Sequence, residues 1–198
     1  MTLNYDLPVG QTGQGRLILR GGSLYLPGRS MSIAGTASTS GGTVEISDGN
    51  LQVGATCQVG GQSGWGYLEV EGSEASISFG GYLQKPRGKL LSVFDSNGIS
   101  AILVGGSATL DGRWEVDDGG ACPGRFTVLS AASISGSFDE VILPGPGWSW
   151  GIDSGKTLWV QTPEPASVAF IIAWAVPVLW RRRVPAAGRA GPTREGGT

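Results

Sequence analysis

The chain has 198 residues, 35 of them glycine and 11 proline, with 40% hydrophobic and 15% charged; the glycine share is about 18%, against about 7% in an ordinary protein. Histidine is absent, which removes Ser–His and Cys–His nucleophile pairs, histidine metal ligands and the usual near-neutral base. The formal net charge is −2, which argues against a nucleic-acid partner.

Three segments repeat in chain order: Gly15 to Leu26, Gly42 to Gly54 and Gly66 to Gly80. In each, a glycine stands two residues before an alternating strand. A turn holding Gly21-Gly22, Asp48-Gly49 or Gly72-Ser73 follows, and a second strand starts at Leu24, Leu51 or Ala75. Alternation puts Leu17/Leu19, Val44/Ile46 and Leu68/Val70 on one side, with Ile18, Glu45 and Glu69 on the other. A short-strand repeat of this length buries its apolar side only by stacking on its neighbours. The pattern predicts an all-β fold, a parallel β-helix or other β-solenoid over residues 1–110. An antiparallel sandwich is the competing reading, since turn signals about every 8–12 residues suit it too.

Beyond residue 85 the repeat fades. Strand patterns continue at Leu90–Phe94, Ala101–Val104, Ala108–Leu110, Trp114–Val116, Phe126–Leu129, Val141–Leu143 and Leu158–Val160. Residues 111–161 are therefore expected to form a terminal β segment that caps the stack. Trp148 and Trp150 share one strand side. They are candidates for a platform that stacks on sugar rings, or for an aromatic plug over the end of the stack. Cys57 and Cys122 are a candidate disulfide or two unpaired thiols.

The last segment reads differently. Residues 1–165 hold 9 Lys and Arg against 15 Asp and Glu, whereas residues 166–198 hold five Arg against one Glu. Thr162-Pro163-Glu164-Pro165-Ala166-Ser167 leads into an uncharged run from Ala166 to Trp180, followed by Arg181, Arg182 and Arg183. As a helix, residues 166–180 span about 22 Å, short of a hydrocarbon core of about 30 Å, and Pro177 weakens the helix. The arginines act as a positive-inside stop that leaves the body on the outer side of the membrane. The expectation is one short transmembrane helix over 166–180, then a disordered basic tail over 184–198.

The order Pro163-Glu164-Pro165, short apolar helix and arginine cluster resembles the PEP-CTERM sorting signal of Gram-negative, biofilm-forming bacteria. The resemblance covers residues 162–183. It implies a partner, an exosortase-like membrane protease that reads Pro163, Glu164 and Pro165 and removes the tail. It also implies helix 166–180 as a temporary lipid anchor and Arg181 to Arg183 as the retention cluster. The implied route starts in the inner membrane and ends at the outer membrane, cell surface or extracellular matrix, with exopolysaccharide as a further candidate partner. The body is similar to glycine-rich proteins that carry this signal in planctomycete-like bacteria, through Val9-Gly10 to Gly22 and Val59-Gly60 to Gly72. Members of the family begin with a secretory signal peptide. Met1 to Pro8 has neither its basic start nor its apolar stretch, which predicts a start further upstream or a shortened gene.

No catalytic inventory emerges, and no cofactor or metal is expected. Gly151-Ile-Asp-Ser-Gly155-Lys156-Thr157 comes near a phosphate-binding loop, but it has three residues between the glycines and leads into a strand instead of a helix. Glu69 with Glu71, or Glu115 with Asp117 and Asp118, read as solvated charge before they read as a carboxylate pair for glycoside chemistry. Asp95-Ser96-Asn97-Gly98 reads as a turn, without the full calcium loop. The expected function is an exported structural or adhesive protein that is not an enzyme; the alternative is a polysaccharide-active or polysaccharide-binding β-helix protein.

Overall fold

Period-two alternation with glycine-bearing corners winds the chain into a β-solenoid of about five turns. The structure, a computed structural model, describes residues 1–34 and 37–164. Among them every regular element is a strand: β1 (Leu7–Val9), β2 (Gln14–Leu26), β3 (Met31–Ile33), β4 (Gly41–Val59), β5 (Trp65–Glu71), β6 (Ala75–Gln84), β7 (Gly88–Val93), β8 (Ile102–Leu110), β9 (Arg113–Asp117), β10 (Arg125–Gly136), β11 (Glu140–Ile142), β12 (Ser149–Asp153) and β13 (Thr157–Gln161). The compact unit that contains them runs from Met1 to Pro163. Pro165, the 166–180 segment, Arg181 to Arg183 and the 184–198 tail lie outside the described residues.

Parallel pairing builds three ladders. The first stacks the starts of β2 and β4 with β5, β7, β9 and β11, so that Leu17, Val44, Leu68, Leu90, Trp114 and Val141 form one inward row. Its members stand 27, 24, 22, 24 and 27 residues apart (17 to 44, 44 to 68, 68 to 90, 90 to 114, 114 to 141). The second ladder has the inward row Leu24, Leu51, Ile77, Ile102 and Leu129. The third has Leu7, Met31, Cys57, Tyr82, Ala108 and Ile134. Val44, Leu68, Leu90, Met31 and Cys57 are fully buried, and each large aliphatic among them contributes about 1.5–3 kcal/mol.

The glycine before each repeat strand has a steric cause. A Cβ on Gly42 would lie 2.0 Å from the Val9 carbonyl oxygen, and one on Gly66 would lie 1.9 Å from that of Ile33. The coil turns there with no room for a side chain.

Parallel pairing continues well past residue 85: it ends in β8 at Leu110 and resumes in β9 at Arg113. What fades is the aliphatic pattern. Inward positions of the later coils hold Tyr82, Gln84, Ser92 and Trp114, which satisfy one another. Tyr82 Oη donates to Gln84 Oε1 (2.7 Å), Gln84 Nε2 donates to the Arg113 carbonyl (2.8 Å), and Trp114 Nε1 donates to Ser92 Oγ (3.1 Å). A buried polar side chain is tolerated when its partners are met, and a hydrophobic pattern does not register it.

The last strands break the parallel rule. β13 pairs antiparallel with β10, and β12 antiparallel with β13. Their turn has positive φ at Ser154 (49°) and Gly155 (63°), as a tight hairpin with right-handed twist requires. Gly151 to Thr157 is therefore the tip of a hairpin, and strand β13 follows its turn where a phosphate-binding loop would open a helix.

Candidate functional site

The outer side of the first ladder concentrates the ionic chemistry. One row reads Arg16, Thr43, Tyr67, Lys89, Arg113 and Glu140; its neighbour reads Ile18, Glu45, Glu69, Leu91, Glu115 and Ile142. Arg16 holds Glu45 through two nitrogens at 2.6 and 2.7 Å. Glu115 receives Lys89 at 2.6 Å and Arg113 at 3.0 Å, and Arg113 also reaches Glu140 at 3.5 Å. Lys89 Nζ lies 4.7 Å from the Tyr67 ring centre, and the Arg87 guanidinium 5.5 Å from that of Trp65.

These pairings set the acidities. The hydrogen bond from Arg16 holds Glu45 below the ordinary carboxylate value. The bond from Lys89, helped by Arg113, does the same for Glu115. Glu69 moves the other way: burial raises it first, and the Glu45 and Glu71 charges beside it add to that. Among the described residues Glu69 has no ion-pair partner within 4 Å. Glu71 is exposed at the end of β5, Asp117 is the last residue of β9, and Asp118 follows it at the corner, where it accepts the Ala121 N–H at 3.0 Å. Among the described residues no group of three or more Cys, Asp or Glu could hold a metal ion.

The Asp95 turn is an anchor between coils. Its carboxylate accepts N–H groups of Ser73 (3.0 Å), Asn97 (2.7 Å) and Gly98 (2.9 Å) and the Ser73 hydroxyl (3.0 Å). Burial opposes its ionisation, but the donors outweigh it and hold the carboxyl below its usual value.

The two thiols are free and differently placed. Cys57 is sealed in the third ladder between Met31 and Tyr82, and burial pushes its thiol far up. Cys122 is exposed in the loop before β10.

Trp148 and Trp150 are brought to the aromatic part of the core. Trp148 meets Phe94 edge-on at 5.8 Å, and Trp150 meets Trp114 edge-on at 5.8 Å, with Phe138 at 6.4 Å. Trp150 keeps 37% of its surface exposed. A third indole, Trp159, lies under the Arg125 guanidinium at 3.9 Å and donates to Asp153, which also pairs with Arg125. The cation stacked on Trp159 comes with the β10–β13 register.

The body ends in a fastening. Thr162 is 3% exposed; its N–H donates to the Gly124 carbonyl (2.9 Å), and its hydroxyl accepts the Gly124 N–H (2.7 Å). Pro163 and Glu164 after it are exposed.

In comparisons with protein-family models, curated proteins and solved structures, nothing matches this chain.

Proposed function

We propose that this protein is an exported, non-catalytic structural or adhesive element of the cell surface or extracellular matrix, matured at its C-terminus by an exosortase-like membrane protease. One observation carries the reading: Pro163-Glu164-Pro165, the apolar run 166–180 and Arg181 to Arg183 follow one another in that order directly behind a repeat body. In this reading the protease recognises Pro163, Glu164 and Pro165, the apolar run holds the precursor in the inner membrane, and the arginines keep its end in the cytoplasm.

Two features support it. Among the described residues Thr162 is the last buried one, and Pro163 and Glu164 are exposed, so a protease can reach the start of the motif without unwinding β13. Glu45 and Glu115 are held by arginine and lysine, an arrangement that favours a stable surface over acid–base work.

Mass spectrometry of the native protein's termini, from membrane and extracellular fractions of the host, tests the proposal. The expected C-terminus lies between Pro163 and Ser167 in the extracellular fraction. An intact Thr198 retained in the membrane fraction would refute processing.

A further inference from the structure

Charge is partitioned among the three ladders. The outer rows of the first carry Arg16, Glu45, Glu69, Lys89, Arg113, Glu115 and Glu140. The paired rungs of the second and third carry none: residues 49–59, 75–84, 102–110 and 129–136 contain no Lys, Arg, Asp or Glu. Along the corner between those two ladders runs a gutter of about 330 Å³. One wall is the outward row Gln52, Ser78 and Leu103, in register from rung to rung. Its floor is backbone at Gly54, Gly80 and Gly105.

Two of these glycines are dictated by packing. A Cβ on Gly54 would lie 2.3 Å from Gly28 N, and one on Gly80 would lie 2.4 Å from the Gly54 carbonyl oxygen. Gly105 is different. A Cβ there would meet only the Phe79 carbonyl oxygen, at 3.9 Å, an ordinary contact, and its φ lies outside the glycine region. Packing does not require the missing side chain at Gly105, and its absence keeps the gutter open.

We propose that this gutter binds a neutral linear polysaccharide lying along the solenoid axis. Parallel rungs repeat about every 4.8 Å, so the wall offers a periodic polymer one side chain per rung. Leu103 is 54% exposed and offers an apolar surface to the C–H face of a pyranose ring, while the Gln52 amide and Ser78 hydroxyl offer donors and acceptors to its hydroxyl rim. An acidic polymer would find no cation on these rungs; Arg29, whose carbonyl accepts the Ala55 N–H, and Lys156, whose carbonyl accepts the Ala131 N–H, stand on the flanking segments. The inference rests on the matrix reading above for the source of the polymer, but it concerns a different part of the molecule from Trp148 and Trp150.

Affinity electrophoresis of the full chain in native gels containing hydroxyethylcellulose, with alginate gels as the anionic comparison, tests the site. Retardation by hydroxyethylcellulose and not by alginate is expected. Gly105→Leu, which fills the gutter, and Ser78→Asp, which charges its wall, should each weaken that retardation at least five-fold without lowering the thermal midpoint. Glu45→Gln, on the other side of the solenoid, should leave it unchanged. Retardation by alginate alone, or by neither polymer, overturns the inference; the terminal masses judge the sorting proposal separately. Retardation that survives Gly105→Leu in a folded protein but disappears in Trp150→Ala moves the site to the hairpin and overturns it as well. So does concentration-dependent sedimentation abolished by Gly105→Leu, which would make the gutter a contact between copies.

Discussion

Replacing Gly66 by alanine puts a methyl group where two coils touch. The new Cβ would lie 1.9 Å from the Ile33 carbonyl oxygen and 2.0 Å from Gly60 N. Those two atoms are joined by a hydrogen bond of 2.9 Å, so the methyl lands on the bond. Contacts under 3.0 Å are essentially never seen for a real Cβ, so the backbone must part by about 1 Å on both sides. Overpacking of this kind costs about 1–3 kcal/mol. Separating the buried Gly60 N–H from its acceptor adds about 1–3 kcal/mol. The expected total is about 2–6 kcal/mol, a large share of a stability of about 5–15 kcal/mol. Gly13 is the control, because a Cβ there meets nothing within 4 Å; Gly13→Ala should stay within about 0.5 kcal/mol or stabilise slightly. Urea denaturation followed by far-ultraviolet circular dichroism measures both. A Gly66→Ala variant within 1 kcal/mol of the parent, at an unchanged denaturant slope, would refute the steric account of the repeat glycines.

Four further outcomes follow. Gln84→Leu strips the Tyr82 hydroxyl and the Arg113 carbonyl of a buried partner and should cost about 2–4 kcal/mol; adding Tyr82→Phe should recover part of it, and a double-mutant cycle in urea measures the coupling. In the folded protein an aromatic disulfide reagent should titrate one thiol, Cys122, with Cys57 reacting only after denaturation; two fast thiols would contradict the burial of the third ladder. Asp95→Ala removes four accepted hydrogen bonds and should lower stability by about 2 kcal/mol at neutral pH. Because the folded carboxyl is held below its unfolded value, that contribution is present above about pH 3.9 and disappears as pH falls through the folded pKa, so urea midpoints of parent and variant should converge in strong acid. Glu69 carries the opposite sign. Its raised pKa makes the charged form unfavourable in the fold, so Glu69→Gln should raise the unfolding free energy measured in urea at pH 7 by a few tenths of a kcal/mol, a gain that fades as acid protonates the parent's carboxyl.

Alternation and glycine placement made the strands, the inward sides of Leu17, Val44 and Leu68, and the stacking of coils legible from residues alone, because each is a local consequence of pleat and corner sterics. Tertiary structure decided the rest. Trp114 joins the row of Leu90 through the β7–β9 register; its flanks, Gly112-Arg113-Trp114-Glu115-Val116, keep the pattern of Gly66-Tyr67-Leu68-Glu69-Val70, while the corners absorb unequal lengths. Gln84 and Ser92 sit inside because Tyr82 satisfies Gln84 from two residues away, and the Arg113 carbonyl and Trp114 satisfy Gln84 and Ser92 across coils, 29 and 22 residues on. Trp148 and Trp150 meet the aromatic core through the hairpin's antiparallel register. Gly66 and Gly105 look alike in the sequence; only the neighbouring coil's backbone, 1.9 Å from one Cβ position and 3.9 Å from the other, tells the glycine the fold cannot do without from the one it can.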